Sequence, residues 1–404
     1  MASAAERIRA ARAAFPGTRG CTYIDLGGRG LLSEASRAAV EAHLDDMMYG
    51  RIDKDRLFAA TEETRALFAR LINADADEVA YTKNISEGLN LIASAIDWQP
   101  GDNVVVCPEL EHPNNIYLWL NLRRYGVEVR CVHHRDGRMP VGAMIDAMDR
   151  RTRVLTASSV SFSPGFRTDI DRLGRACRER GVLFLVDAAQ SGGVLHHDVV
   201  ASSVDALAVS TQKGLLGLYG MGFLYVRKAV AETLTPRHLA RFGVDLGTAE
   251  AHESDLGDFR FEFMPAARRF DLGNYNFAAI AAVNASLQLL LDIGTRAVEA
   301  HVLELADALA TGLHDLGFPV CAGLDPAERA GIVTVGRYGS GNDKASSDDC
   351  MNRLCAHLRR NGVVLSMRRG VLRFSFHLYN DSSDVERVLD LARQPDARGS
   401  LVRA

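Results

Sequence analysis

The sequence predicts an α/β protein built on a buried, mostly parallel sheet, with a second and smaller unit toward the carboxyl end. Three observations carry this. Short apolar, β-branched runs alternate with longer helical patterns from about residue 60 to 230. The pattern changes near Asn276, where a long apolar helix begins. The 404 residues, 47% of them apolar, exceed the roughly 250–300 residues at which a single core stops growing.

The expected strands are Val79 to Thr82, Val104 to Cys107, Val127 to Val132, Val154 to Ala157, Val182 to Val186 and Ala206 to Val209, with a further apolar strand after the Gly-rich turn that follows. Between two of them a helix is legible. Asp169 caps it, Ile170, Leu173 and Cys177 fall on one face, Arg178 and Arg180 suit its last turn, and Gly181 ends it. Gly243 to Phe263 is acidic and aperiodic and reads as a long loop near the domain junction. Phe277 to Ile293 is the long apolar helix, and Val363 to Phe376 is a strand-rich segment of the smaller unit.

Composition excludes several classes. Lys and Arg total 47 against 51 Asp and Glu, a net charge of -4 without a basic tract, so nucleic acid is not an expected partner. The seven cysteines are scattered and form neither a CxxC pair nor a Cys/His zinc pattern, which points to reduced thiols, no metal site and a cytoplasmic protein. No stretch of about 18 uncharged apolar residues occurs, so no membrane partner is expected. No GxGxxG opens a helix after a strand, because Gly27, Gly28 and Gly30 come too early and too close together. That argues against a nicotinamide dehydrogenase.

The chemistry concentrates at two strand ends. The run VLFLVDAAQ stops being apolar at Asp187, placing a carboxylate where ligands of open α/β sheets bind. By itself an Asp there is a turn or cap residue. One strand later, DALAVSTQKGLLGLYG ends in Ser210, Thr211, Gln212 and Lys213 among glycines that let a flat ligand approach the backbone. By itself such a lysine is a surface residue of a hairpin. Together they suit pyridoxal phosphate (PLP): a buried carboxylate keeps its pyridine nitrogen protonated, and a lysine of depressed pKa holds it as an imine and shuttles a proton. Upstream, in YTKNISEGLNLIA, Ser86 is read as the helix N-cap, with the amides of Ile85 and Ser86 free to face an anion, although an ordinary capped helix reads the same way.

At these residues the sequence resembles the class V aminotransferase family, which includes cysteine desulfurases, selenocysteine lyases, isopenicillin N epimerase-like proteins and aminotransferases. The resemblance runs from Tyr23 to about Val388. It implies the PLP-dependent transferase fold (fold type I): a large domain over 20–265 with a mostly parallel seven-stranded sheet, and a smaller α+β domain from 1–19 and 266–404. It also implies a homodimer with active sites at the subunit interface. Asp187 corresponds to the pyridinium partner, Ala189 to the small residue beneath the ring, Gln190 to the donor at the phenolic oxygen and Lys213 to the imine lysine. Ser210, Gln212, Ile85 and Ser86 correspond to phosphate ligands, with Gln212 standing where desulfurases usually have His. His112, in ELEHPNN, corresponds to the residue stacked on the ring, though a lone loop His is usually just solvated. Asn274 takes the place of a residue that reaches the partner's phosphate site. Arg373, in GVLRFSFHLYN, corresponds to the clamp on the substrate carboxylate; its plain alternative is a structural ion pair.

Two departures bear on the reaction. The desulfurase loop cysteine that receives sulfur is absent from LSMRRGVLRF, and Cys350 and Cys355 sit earlier on a helix with Met351, Leu354 and Leu358. Phe162 falls near the place of a desulfurase Asn. The expectation is α-proton abstraction from an amino-acid-type substrate by Lys213, with Asp187 and His112 completing the catalytic set. The outcome leans to a C–S or related β-lyase without persulfide relay. Epimerisation and transamination are the alternatives, and a catalytically silent scaffold of the same fold is the alternative of another class.

Overall fold

The computed structural model describes residues 3–245, 261–321 and 325–398. Its centre is a seven-stranded sheet: β1 (Val79–Thr82), β2 (Asn103–Val106), β3 (Glu128–Cys131), β4 (Thr152–Ser158), β5 (Leu183–Asp187), β6 (Ala206–Ser210) and β7 (Gly222–Val226). The order is β1-β7-β6-β5-β4-β2-β3, parallel throughout except for β7, which is antiparallel to both neighbours. The expected strands are all present, with ends displaced by one or two residues.

Alternate residues of the inner strands feed two cores. Val105, Leu155, Ala157, Phe184, Val186, Leu207, Val209, Phe223 and Tyr225 join one, and Val104, Val154, Leu185, Ala206, Ala208, Leu224 and Val226 join the other. This two-sided burial is why the strands read as continuous apolar runs rather than alternating ones. The helix over Ile170–Arg180 is capped by Asp169, whose side chain accepts from the Arg172 N–H, and stops at Gly181 with φ of 65°, where glycine escapes the Cβ penalty of the left-handed region.

Parallel pairing brings the carboxyl ends of the strands to one edge. Ser158 on β4 lies opposite Asp187 on β5, Asp187 opposite Ala208 on β6, and both Ser210 and Thr82 opposite Gly222. Any ligand at this edge meets β1, β4, β5 and β6 together.

A second, antiparallel sheet holds β8 (Ile332–Val335), β9 (Ser366–Arg368) and β10 (Val371–Ser375) in the order β8-β10-β9. Helices Thr295–Asp315 and Asp349–Arg360 pack on it, and helix Ser382–Arg393 packs on both of those helices. The helix over Phe277–Ile293 is capped by Asn276 and lies on helices Glu34–Met48 and Lys54–Ile72. Thr22–Tyr23, inside the range assigned from sequence to the large domain, pairs parallel with Val363–Val364, and Asp25 bridges to Ser375. That stitch carries Gly27 and Gly28 to the junction between the two sheets. The ends of the segment read as a long loop pair as a short ribbon, Val244–Asp245 with Glu262–Phe263; residues 246–260 of that segment lie outside the described residues.

Candidate active site

A cavity of about 480 Å³ lies between the strand ends and the smaller sheet, lined by Gly27, Gly28, His112, Pro113, Phe162, Gln190, Lys213, Asp343, Arg368, Arg369 and Arg373. Four residues singled out by sequence, Lys213, Gln190, His112 and Arg373, therefore meet in one space although they come from three loops and a distant strand.

Asp187 closes β5 at 4% exposure, and its Oδ1 accepts the Ala189 N–H at 2.9 Å. Burial pushes its carboxyl pKa up, against the opposing pull of that N–H and of Lys213. Lys213 follows β6 by three residues. Burial holds its amine down to about 8; Asp187 opposes this, while Arg373 and Arg368 add to it. A buried carboxylate under the cavity and an amine that loses its proton near neutrality form a matched pair.

Arg373 projects from β10 with 1% exposure. Its Nε donates to Ser366 Oγ at 3.0 Å and its Nη1 to the Phe162 carbonyl at 3.0 Å, while Asp25 Oδ1 lies 3.6 Å from Nη2. Among the described residues Nη2 has no hydrogen-bond partner, so the fork keeps one buried donor for a ligand. Burial lowers its pKa to about 10, opposed chiefly by Asp25. A Cβ on Gly27 would sit 2.8 Å from Arg373 Cζ, so glycine is needed there for the guanidinium to reach the cavity. Gln190 Nε2 donates to the Gly27 carbonyl at 3.4 Å. His112 packs edge-on to Phe162 with ring centroids 5.5 Å apart. Its pKa is lowered by burial and then by Lys213, Arg368 and Arg369.

Not every expected residue lines this cavity. Ser210 ends β6, buried, and Gln212 is half-buried with its carbonyl accepting from Gly30 N–H at 2.8 Å. Ile85 and Ser86 open the helix Ile85–Ala95 directly after β1, but Ser86 is not its N-cap. Asn84 is: its side chain accepts the Glu87 N–H, and Glu87 reaches back to the Lys83 N–H. The Asn-x-x-Glu spacing closes both bonds, which leaves Ser86 inside the first turn. Asn274 is exposed and lines a separate cavity of about 310 Å³ with Thr82, Lys83, Gly220 and Tyr275.

Sequence reasoning weighed Gly27 and Gly28 only as a failed nucleotide motif, placed Arg29, Arg368 and Arg369 near the pocket without ranking them, and missed Glu111. Glu111 is buried beside Asp187. It accepts from Ser158 N–H at 2.7 Å, Ser158 Oγ at 2.6 Å and Asn115 Nδ2 at 2.8 Å. Burial and the neighbouring Asp187 charge push its pKa up to about 7.

The residues fit PLP. Asp187 offers a buried anion for the ring nitrogen, Lys213 an amine for the aldehyde, and the helix start after β1, where Thr82 Oγ1 is buried without a partner among the described residues, offers donors for the phosphate. An open, mostly parallel sheet with such a carboxylate and lysine at adjacent strand ends, and a smaller antiparallel unit closing over them, is the architecture of fold-type I PLP enzymes. The aminotransferase class-V family model matches residues 53–388, and the chain belongs to that family of PLP-dependent enzymes. A probable cysteine desulfurase of Methanothermobacter thermautotrophicus is 33% identical over 80% of this chain and 81% of its own length. The uncharacterized aminotransferase YcbU of Bacillus subtilis is 29% identical over 94% and 95%. Among solved structures, a lysine-to-alanine variant of C-DES with glycine covalently linked to its PLP cofactor has a TM-score of 0.82 at 21% identity, covering 95% of this chain and 99% of that one. The apo cysteine desulfurase of Thermococcus onnurineus has a TM-score of 0.81 at 23% identity, over 95% and 96%. These two show the shared fold.

Proposed function

We propose that this protein is a PLP-dependent C–S or related β-lyase acting at the α-carbon of an amino acid. The observation that carries the reading is the meeting of Lys213, above buried Asp187, with the half-satisfied guanidinium of Arg373 in one cavity. When bound, PLP supplies an electron sink for the pair left at the α-carbon. Asp187 would hold the proton on the ring nitrogen, its carboxylate fixed by the Ala189 N–H at 2.9 Å, and Ala189 would be the small residue on the ring's side of that carboxylate. Gln190 would donate to the phenolic oxygen, and His112 would pack on the ring. The amides of Ile85 and Ser86, with Ser210 and Gln212, would hold the phosphate. Arg373 would hold the substrate carboxylate through Nη2, its buried donor without a hydrogen-bond partner among the described residues, and so fix the orientation of the α-carbon and the choice of the bond that breaks. Lys213 Nζ, whose pKa of about 8 leaves a minor but usable share of free amine at neutral pH, would take the α-proton and pass it to the sulfur that departs as the Cβ–S bond breaks and a Cα–Cβ double bond forms.

The lean toward β-elimination without persulfide relay rests on the chain between Ser366 and Arg373, which holds no cysteine. Cys350 and Cys355 lie on the helix Asp349–Arg360, with Cys355 buried in the core. We read the protein as a cytoplasmic homodimer in which exposed Asn274 serves the partner's phosphate site. Among the described residues no single helix is long and apolar enough to cross a membrane.

The test is a panel of amino acids followed at once for sulfide, pyruvate, keto acid and loss of optical rotation. Pyruvate together with a sulfur product is expected. Keto acid formed without elimination would replace the reading with transamination, loss of rotation alone with epimerisation, and sulfide release dependent on Cys350 or Cys355 would reinstate persulfide relay.

A further inference from the structure

Arg373 accounts for one carboxylate, yet the same cavity receives two more guanidinium groups. Arg368 ends β9 and Arg369 begins the turn into β10, with Arg369 at φ of 49° and Gly370 at 84°. A positive φ is costly for arginine, and it aims consecutive side chains at the same space. Register places Ser366 opposite Arg373 and Arg368 opposite Val371. Arg368 therefore shares the face of Arg373, a diagonal neighbour at about 7–8 Å between Cα atoms.

Arg369 is held rigidly but by neutral groups only. Its Nη1 donates to the Glu109 carbonyl and the Tyr338 hydroxyl, and its guanidinium lies 4.9 Å from the Phe162 ring centroid. Arg368 donates to its own neighbour's carbonyl, Met367 O, at 2.8 Å. Both are half-buried, and among the described residues neither forms an ion pair through its side chain. Asp343, the one carboxylate lining the cavity among the described residues, spends Oδ1 on the Arg369 backbone N–H at 3.1 Å. Asp25 offsets Arg373 at 3.6 Å and Asp187 offsets Lys213, which leaves Arg368 and Arg369 as the cations of this space without an ion-pair partner among the described residues. The phosphate-side residues Ile85, Ser86, Ser210 and Gln212 are not among its lining residues, so the excess of positive charge is on the substrate side.

We propose that the substrate carries a second anionic group at the end of its side chain, a carboxylate, sulfinate or sulfonate, and that Arg368 and Arg369 bind it while Arg373 binds the α-carboxylate. This rests on the reading of the cavity as an amino-acid site. Arg369, braced by Tyr338, Phe162 and Glu109, fixes the direction in which the side chain leaves the α-carbon, and Arg368 closes on it from β9. The paired guanidinium groups stand a few residues before Arg373, in the stretch where the desulfurase cysteine is missing.

The test is calorimetric titration of the holoenzyme with L-aspartate, L-glutamate and L-cysteine sulfinate against the size-matched neutral amino acids L-alanine, L-2-aminobutyrate and L-norvaline. At least tenfold tighter binding of one or more acidic members is expected. An Arg368→Gln, Arg369→Gln double variant, with melting temperature and cofactor absorbance as folding checks, abolishes that preference and leaves neutral affinities within threefold. Arg373→Gln weakens both groups alike. Equal affinities for acidic and neutral members, or a preference that survives the double variant, would overturn the proposal while leaving the amino-acid site intact. If no amino acid of either kind binds, the reading of the cavity falls, and this proposal with it.

Discussion

Lys213 has an amine pKa of about 8 because the cavity wall desolvates it and Arg373 and Arg368 repel its proton, with Asp187 pulling the other way. An exposed lysine has an ordinary value of 10.5. At pH 7 this leaves about 10% of Lys213 as free amine, against about 0.03% for an exposed lysine, a ratio on the order of 300. The rate at which apoenzyme captures PLP is proportional to that fraction. Stopped-flow absorbance of capture from pH 6 to 10.5 should rise and level off near pH 8 to 9. Asp187→Asn removes the larger of the two nearby charges that favour the ammonium form, Asp25 being the other, so the midpoint moves lower; Arg368→Gln moves it higher. A capture rate that climbs without a plateau to pH 10, or variants that shift in the opposite directions, would refute the electrostatic argument.

Glu111 gives a prediction of opposite sign for stability. Between its ordinary value of 4.5 and about 7, the unfolded chain has released this proton and the folded chain still holds it, so stability falls as pH rises by up to about 3 kcal/mol. Urea unfolding of the apoprotein at pH 4.5 and 7.5 should show that Glu111→Gln removes this slope; an unchanged slope would place the buried proton elsewhere. Gly27→Ala sets a methyl 2.8 Å from Arg373 Cζ and should raise KM about tenfold through a displaced guanidinium, with cofactor absorbance unchanged; an unaltered KM would remove Arg373 from substrate binding. Arg65 is fully buried, pairs with Asp271 at 2.8 Å and donates to the Val79 carbonyl. Arg65→Met leaves the Asp271 charge unpaired and should cost about 3–5 kcal/mol, seen as a lower melting temperature.

The sheet was legible because burial on both faces makes each inner strand an uninterrupted apolar run, and Asp187 and Lys213 stood out as polar residues where such runs stop. Strand ends shifted by a residue or two because polar Asn103, Thr152 and Ser210 still join the ladder. Ser86 was mistaken for the cap because both Asn84 and Ser86 have capping side chains, and only the closure through Glu87 decides between them. Arg373 needed a resemblance to be noticed, since its approach to Lys213 depends on how the smaller sheet folds back, and periodicity does not encode that. Gly27 was read only as a failed nucleotide motif. Its purpose emerges from the Asp25–Ser375 bridge that carries it against the guanidinium. Arg368 and Arg369 gave no periodic signal, and it is the left-handed turn at Arg369 that brings both into the cavity.

The most direct test of the central claim is to bind PLP to the apoenzyme, reduce with borohydride and locate the modified residue by peptide mass spectrometry. The account predicts a phosphopyridoxyl group on Lys213 and none on the Lys213→Ala variant. Modification at Lys54, Lys83, Lys228 or Lys344 instead, or labelling that persists in the variant, would contradict it.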